Sequence, residues 1–270
     1  MTKARKPAQP SSNRPIGVFD SGIGGLTVVH ALRRLLPQEE IVYLGDTARV
    51  PYGTKSHATI ERYTLQAGAI LQRYDPKLLV IACNTASAHG LEALRRESPV
   101  PVVGVIEPGA ELAAKVEGPV GVIGTLATVQ SGAYEKAIRA RHPGAEIHAL
   151  GCPLLVALAE EGWLDDPLTV EACRRYFAPL PASVKTIVLG CTHYPVLRPS
   201  LEQARPGTAW IDSGEAAAAS VETLLRERQA LRDGGPGDLQ VLLTDPSSRL
   251  QEVGSRFLGE PLGSVEVVEI

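Results

Sequence analysis

From residue 16 onward, short apolar runs alternate with longer stretches in which apolar residues recur at helical spacing. That alternation predicts buried parallel strands joined by amphipathic helices, the pattern of an α/β protein. In the first part of the chain, Ile16-Gly17-Val18-Phe19, Ile41-Val42-Tyr43-Leu44, Leu78-Leu79-Val80-Ile81 and Val102-Val103-Gly104-Val105-Ile106 read as strands. Helices are expected over 26–36, over 57–74, from the end of the third strand through Leu94, and from Glu107-Pro108 onward. After Pro119 the pattern resumes with strands at 120–123, 146–150, 186–189 and near 210–212. Between and after them, helices are expected over 129–141, 152–162 and 215–228. A strand at 239–243, a helix over 247–258 and a last strand at 264–270 are expected to return to the first part.

The second half looks like a repeat of the first. Pro15-Ile16-Gly17-Val18-Phe19-Asp20-Ser21 aligns with Pro119-Val120-Gly121-Val122-Ile123-Gly124-Thr125, and Cys83 aligns with Cys191 at nearly the same separation. Matching separations for two unrelated motifs suggest an internal duplication. The expected fold is therefore α/β, with two similar open parallel-sheet domains related by internal pseudo-symmetry and an active site in the crevice between them. The first domain is expected over 15–107 plus 215–270 and the second over 108–214. Residues 1–14 hold two prolines and no large aliphatic residue after Met1, and read as a disordered tail.

Both aligned cysteines end an apolar strand. Leu78-Leu79-Val80-Ile81-Ala82 leads into Cys83-Asn84-Thr85, and Thr186-Ile187-Val188-Leu189-Gly190 leads into Cys191-Thr192-His193. Open α/β sheets bind ligands outside the carboxyl ends of their strands, so both thiols are expected in the crevice. A thiol at neutral pH is only a few per cent thiolate and needs a neighbour to take its proton. Asp20 is placed to serve Cys83, and His193 or the Glu160/Glu161 pair to serve Cys191. Acidic residues at the end of a helix oppose its dipole, and from the residues alone the two glutamates read as solvated surface groups. A cysteine hydrolase needs one thiol. Two facing thiols suit inversion of a carbon centre, one removing a proton from one face and the other returning a proton to the opposite face.

Composition narrows the field. The 270 residues are 44% hydrophobic, and 27 basic against 30 acidic residues leave a net charge of −3 with no long block of either sign. This offers no electrostatic footprint for nucleic acid or an anionic membrane. No apolar run approaches the ~18–20 residues needed to span a bilayer, and no signal-peptide pattern is present, so the cytoplasm is expected. Four cysteines without a C-x-x-C pair exclude a disulfide framework and a clustered zinc site, and no metal is expected. Cys152 and Cys173 read as buried apolar residues. The turn Gly22-Ile23-Gly24-Gly25 lacks the spacing of a dinucleotide fingerprint. Gly45-Asp46-Thr47 and Val50-Pro51-Tyr52-Gly53 read either as the rim of a pocket or as an ordinary turn with a surface tyrosine. Outside the N-terminal segment, lysines at 55, 77, 115, 136 and 185 avoid the strand ends where a pyridoxal phosphate aldimine would form.

Four stretches carry a resemblance: Gly17 to Leu26, Gly45-Asp46-Thr47 with Pro51-Tyr52-Gly53, Ala82 to Ser87, and Gly190 to Pro195. In these the chain resembles the bacterial glutamate racemases, cofactor-independent members of the aspartate/glutamate racemase superfamily. The resemblance implies interconversion of L- and D-glutamate, with glutamate as substrate, no cofactor, and supply of D-glutamate for peptidoglycan. It implies that Cys83 and Cys191 are the acid/base pair, assisted by Asp20 on one side and by Glu160 and His193 on the other. Glu160 aligns with the assisting carboxylate, and Glu161 stays an alternative. Substrate contacts carried over are Asp20, Ser21, Tyr52, Gly53, Asn84, Thr85, Thr192 and His193, with Thr125 added from the repeated strand end. A homodimer is also implied. The competing readings are an aspartate racemase or related decarboxylase of the same superfamily, and a non-catalytic binding protein.

Overall fold

A computed structural model describes residues 12–270. The first half runs β1 (Ile16–Asp20), α1 (Leu26–Leu35), β2 (Ile41–Gly45), α2 (His57–Gln72), β3 (Leu78–Ile81), α3 (Asn84–Glu97), β4 (Val102–Gly104) and α4 (Ile106–Ala113). The second runs β5 (Val120–Gly124), α5 (Leu126–Gln130), α6 (Ala133–Arg139), β6 (Ile147–Gly151), α7 (Leu154–Glu161) and α8 (Pro167–Phe177). It continues with β7 (Thr186–Gly190), α9 (Arg198–Ala204) and β8 (Ala209–Asp212). The chain then closes through α10 (Ser213–Glu227), β9 (Leu239–Leu243), α11 (Ser248–Leu258) and β10 (Val265–Val267).

The strands form two all-parallel sheets, ordered β10-β9-β2-β1-β3-β4 and β6-β5-β7-β8. Every residue of β1, β2, β3, β5 and β7 is buried, as expected for strands covered by helices on both faces. The order β2-β1-β3-β4 is repeated as β6-β5-β7-β8. The first strand of each half is flanked by the second and third, so the repeat read from two short motifs extends to the whole topology. Cys83 and Cys191 follow equivalent strands. β9 and β10 extend the first sheet beyond β2, which returns the chain end to its beginning as expected.

Several expected boundaries move. The helix expected over 129–141 is two helices: Thr125 caps α5 by accepting from the Thr128 N–H, and Gly132, at φ +63°, breaks the path before α6. The strand expected over 102–106 stops at Gly104, where the Val105 N–H turns to the Ser87 hydroxyl at 3.3 Å. The last strand is confined to Val265–Val267, and α8 and α9 occupy stretches for which no helix was expected. The domain limits expected at 107/108 and 214/215 fall inside α4 and the first turn of α10. α10 packs on both α1 and α4.

Of the expected tail, residues 1–11 lie outside the described residues. Residues 12–14 are fastened to the fold, which corrects the expectation for them. The Ser12 carbonyl accepts from Lys77 Nζ at 2.8 Å, and Arg14 donates to the carbonyls of Asp75 and Pro76 at 2.8 and 3.0 Å. Among the described residues, no helix is long and apolar enough to cross a membrane.

Candidate active site

The carboxyl ends of strands from both sheets converge on a cavity of about 430 Å³. The first sheet contributes Ser21, Gly22, Thr47, Tyr52, Gly53, Cys83, Asn84 and Thr85 to its wall. The second contributes Thr125, Glu160, Cys191, Thr192 and His193. All the residues expected at the site line it except Asp20, which is buried at the end of β1 within bonding distance of the cavity wall at Gly22.

Cys83 is the N-cap of α3. Its sulfur accepts from the Ala86 N–H at 3.4 Å and its thiol donates to the Ser21 hydroxyl at 3.4 Å. Burial pushes this thiol up to about 12, and the nearby Asp20 charge adds to the shift against the pull of those two hydrogen bonds. Cys83 is therefore a protonated thiol in the free protein at neutral pH. Asp20 is itself raised by burial, a shift that the His193 charge and the N–H groups of Gly25, Gly22 and Ser21 only partly offset. One carboxylate oxygen accepts from the Gly22 N–H at 3.0 Å, and the other is buried without a protein partner. An unpaired buried acceptor of this kind is rare and is suited to a ligand's donor.

On the opposite side, His193 Nδ1 lies 3.9 Å from Cys191 Sγ and Nε2 lies 3.0 Å from Glu160 Oε1. Burial alone would push this imidazole down. Its hydrogen bonds to Cys191 and Glu160, together with their charges, outweigh that effect and hold it up at about 10. Glu160 is held below the usual carboxylate range chiefly by its hydrogen bond to His193. The two cysteines thus have unequal surroundings: one is a neutral thiol, and the other is a sulfur with an imidazolium beside it.

Both glutamate side chains are about half exposed, as the surface reading expected, but the geometry separates the pair: Glu160 lines the cavity and bonds His193. Glu161 turns away and pairs with Arg249. α7 ends at Gly162, whose φ of +78° supplies the left-handed cap, and Arg256 donates to the Glu160 carbonyl at 3.4 Å. A cation at that end of the helix offsets the dipole that the glutamates oppose.

The glycine turn after β1 has a steric role. A Cβ on Gly24 would lie 2.4 Å from Thr192 Oγ1 and 2.5 Å from the His193 ring. The turn packs directly under the Cys191 loop, and Thr27 adds a hydrogen bond to the Thr192 carbonyl at 2.9 Å. The surface-tyrosine reading of the Pro-Tyr-Gly loop is also corrected. Tyr52 is 1% exposed and its hydroxyl donates to Asp46 at 2.5 Å. Gly53 abuts Thr125, where an added Cβ would come within 3.2 Å.

Supporting residues around the site that were missed from the sequence include Thr128, Tyr134 and Ser213. Thr128 joins Thr85 and Thr125 in a ring of hydroxyls at 3.2 and 2.9 Å, with Thr85 and Thr125 themselves 2.9 Å apart. Tyr134, fully buried, donates to Asn84 Oδ1 at 2.7 Å, and Asn84 Nδ2 reaches the Ser213 hydroxyl at 3.4 Å. The Thr-x-x-Thr spacing at 125 and 128 is a helix-start signal that could have pointed to Thr128. Tyr134 and Ser213 carry no local signal. Cys152 and Cys173 are wholly buried core residues whose thiols burial pushes up to about 12. Among the described residues, no group of His, Cys, Asp and Glu is arranged to hold a metal ion.

Two equivalent parallel sheets, each delivering a cysteine from the same strand position into one cavity, define a duplicated α/β protein with acid–base groups on two walls of a small-molecule site. The chain belongs to the Asp/Glu/Hydantoin racemase family, which it matches over residues 24–221. The relatives it matches include glutamate racemases. That of Geobacter metallireducens is 48% identical over 262 residues, covering 95% of this chain and 97% of the relative. The crystal structure of glutamate racemase from Thermus thermophilus in complex with beta-chloro-D-alanine superposes with a TM-score of 0.90 at 43% identity, covering 96% of this chain and 98% of that one. The Francisella tularensis glutamate racemase in complex with D-glutamate gives 0.91 at 36% identity, with the same coverage.

Proposed function

We propose that this chain interconverts L-glutamate and D-glutamate by a two-thiol mechanism that needs no cofactor. The observation that carries the reading is the pair Cys83 and Cys191, placed by equivalent strands on the wall of one cavity and given unequal surroundings. In one direction the Cys191 thiolate, with the His193 imidazolium as counter-ion, takes the α-hydrogen of glutamate as a proton. The Cα–H bond breaks, an S–H bond forms, and the electron pair is left on the α-carbon and its carboxylate. The Cys83 thiol then gives its proton to the opposite face and becomes the thiolate. The reverse direction exchanges the roles. Glu160 and His193 move or hold the proton on the Cys191 side, and Asp20 does so beside Cys83.

Recognition follows from the donors and acceptors in the wall. The hydroxyls of Ser21, Thr85, Thr125 and Thr192 and the amide of Asn84 suit two carboxylates, and the Asp20 carboxyl, buried just behind the wall at Gly22, is the acidic group for the ammonium side. The Tyr52 hydroxyl is already spent on Asp46, so the contribution of Tyr52-Gly53 is through the backbone. The proposal extends to two domains, 15–107 with 215–270 and 108–214. It also extends to a homodimer in the cytoplasm that supplies D-glutamate for peptidoglycan, as the family resemblance implies.

Circular dichroism of L-glutamate and of D-glutamate in D2O tests the reading, with L-aspartate and the Cys83→Ser and Cys191→Ser variants alongside. Loss of optical activity from both glutamate enantiomers, with deuterium at Cα and collapse of the rate in either variant, is expected. Racemisation of aspartate in preference to glutamate, or full activity in a serine variant, would overturn it.

A further inference from the structure

The stretch Gly45-Asp46-Thr47 ends β2 beside the Pro-Tyr-Gly loop, and its carboxylate lies outside the cavity wall. Asp46 is 0% exposed, and its side chain gathers three donors. The Tyr52 hydroxyl reaches Oδ2 at 2.5 Å, Arg49 Nε reaches the same oxygen at 2.6 Å, and the Thr244 hydroxyl reaches Oδ1 at 3.1 Å. The Asp46 N–H donates to the Asp20 carbonyl at 3.0 Å. One residue thus ties together the end of β1, the loop carrying Tyr52-Gly53, and the segment that follows β9. The next residue repeats the tie, with Thr47 Oγ1 donating to the Asp245 carbonyl and accepting from its N–H, each at 2.8 Å.

The phenol is also caged from the side. Arg49 lies 3.9 Å over the Tyr63 ring, Tyr63 packs at 5.5 Å on Tyr52, and Tyr52 packs at 6.2 Å on Phe19 of β1. A buried carboxylate is costly unless charge-assisted hydrogen bonds compensate it, and here all of them are directed at one loop and its supports. That loop forms one wall of the cavity, with Gly53 against Thr125 of the other sheet.

We infer that Asp46 is a positioning residue of the racemase site: by holding the Tyr52 phenol it sets where the Tyr52-Gly53 backbone meets a substrate carboxylate. This rests on the glutamate racemase reading, and the test separates the two. Wild type, Asp46→Asn, Tyr52→Phe and the double variant are compared by kcat and KM for both glutamate enantiomers, with far-UV circular dichroism and Tm. A wild type without glutamate racemisation would sink the functional reading itself. With an active wild type, Asp46→Asn is expected to raise KM about tenfold while kcat stays within about threefold, because it disturbs binding geometry and spares both thiols. Tyr52→Phe is expected to raise KM in the same direction, and the double variant to be no worse than the worse single, since Asp46→Asn weakens and Tyr52→Phe removes one shared bond. An unchanged KM in a folded Asp46→Asn protein, additive effects, or a fall in kcat and Tm with KM intact would each overturn the inference. If Asp46→Asn does not fold, Tyr52→Phe decides alone: a raised KM supports the inference and an unchanged KM overturns it.

Discussion

Glu160 and His193 meet at 3.0 Å across the gap between the end of α7 and the loop after β7, and this contact turns the other ring nitrogen toward Cys191. On the proposed mechanism this carboxylate, imidazole and sulfur would carry the proton on one side of the cavity. The other side has the protonated Cys83 thiol with Asp20 close by.

Glu160→Gln is expected to lower kcat by roughly a hundredfold, the low end of what a positioned acid–base group contributes. It should also change how stability varies with pH. His193 has a folded value of about 10 against 6.5 unfolded. A raised basic group stabilises the fold fully below its unfolded value, and that contribution is lost as pH rises through its folded value. The wild type should therefore lose its stability advantage over Glu160→Gln between about pH 6.5 and pH 10, read from urea midpoints. A constant difference across that window would show that the carboxylate does not hold the imidazole up.

Cys83 should alkylate slowly at neutral pH in the free protein, because burial keeps it a thiol up to about 12. Its rate with iodoacetamide, followed by peptide mass spectrometry, should rise about tenfold per pH unit as long as the protein stays folded. A rate that levels off near pH 8 would refute the protonated resting state.

Gly24→Ala should damage catalysis out of proportion to stability. The added methyl has to displace Thr192 or the His193 ring, which sit 2.4 and 2.5 Å from its position. Overpacking of this kind costs ~1–3 kcal/mol, and here the strain falls on the proton path. A kcat/KM at least about tenfold lower in a folded protein is the expected result, and near-normal turnover would count against the close packing.

Lys77→Met should do the opposite. Lys77 and Glu39 form a buried ion pair at the amino end of β3, and Lys77 also donates to the Ala230 carbonyl at 2.8 Å. Removing the cation leaves a buried carboxylate without its counter-charge, a loss of ~3–5 kcal/mol in urea unfolding. Because the pair is far from the strand ends that form the site, kcat should stay within about twofold. A stable variant would show that the Arg232 N–H, which also reaches Glu39 at 2.9 Å, is enough.

Much of the site was legible because it is built at strand ends. An apolar run that stops at Cys83-Asn84-Thr85 or at Cys191-Thr192-His193 is a local pattern, and a parallel sheet sends such ends to one side. The choice between Glu160 and Glu161 was not legible. Adjacent residues on a helix point about 100° apart, and only the placement of α7 against the Cys191 loop decides which one meets His193. Tyr134 and Ser213 act on Asn84 from distant elements, so nothing in their own neighbourhood reveals them.

Hydrophobic periodicity, the repeated strand motif and the paired cysteines by themselves determined the α/β class, the duplication and the strand ends at which the two thiols sit, because each is written in local patterns along the chain. The tertiary structure alone decided how those thiols differ. Burial beside Asp20 keeps one protonated, and a histidine fixed by a glutamate from another element gives the other a cation. Desolvation and charge depend on which residues are brought together through space, and separation along the chain does not encode that.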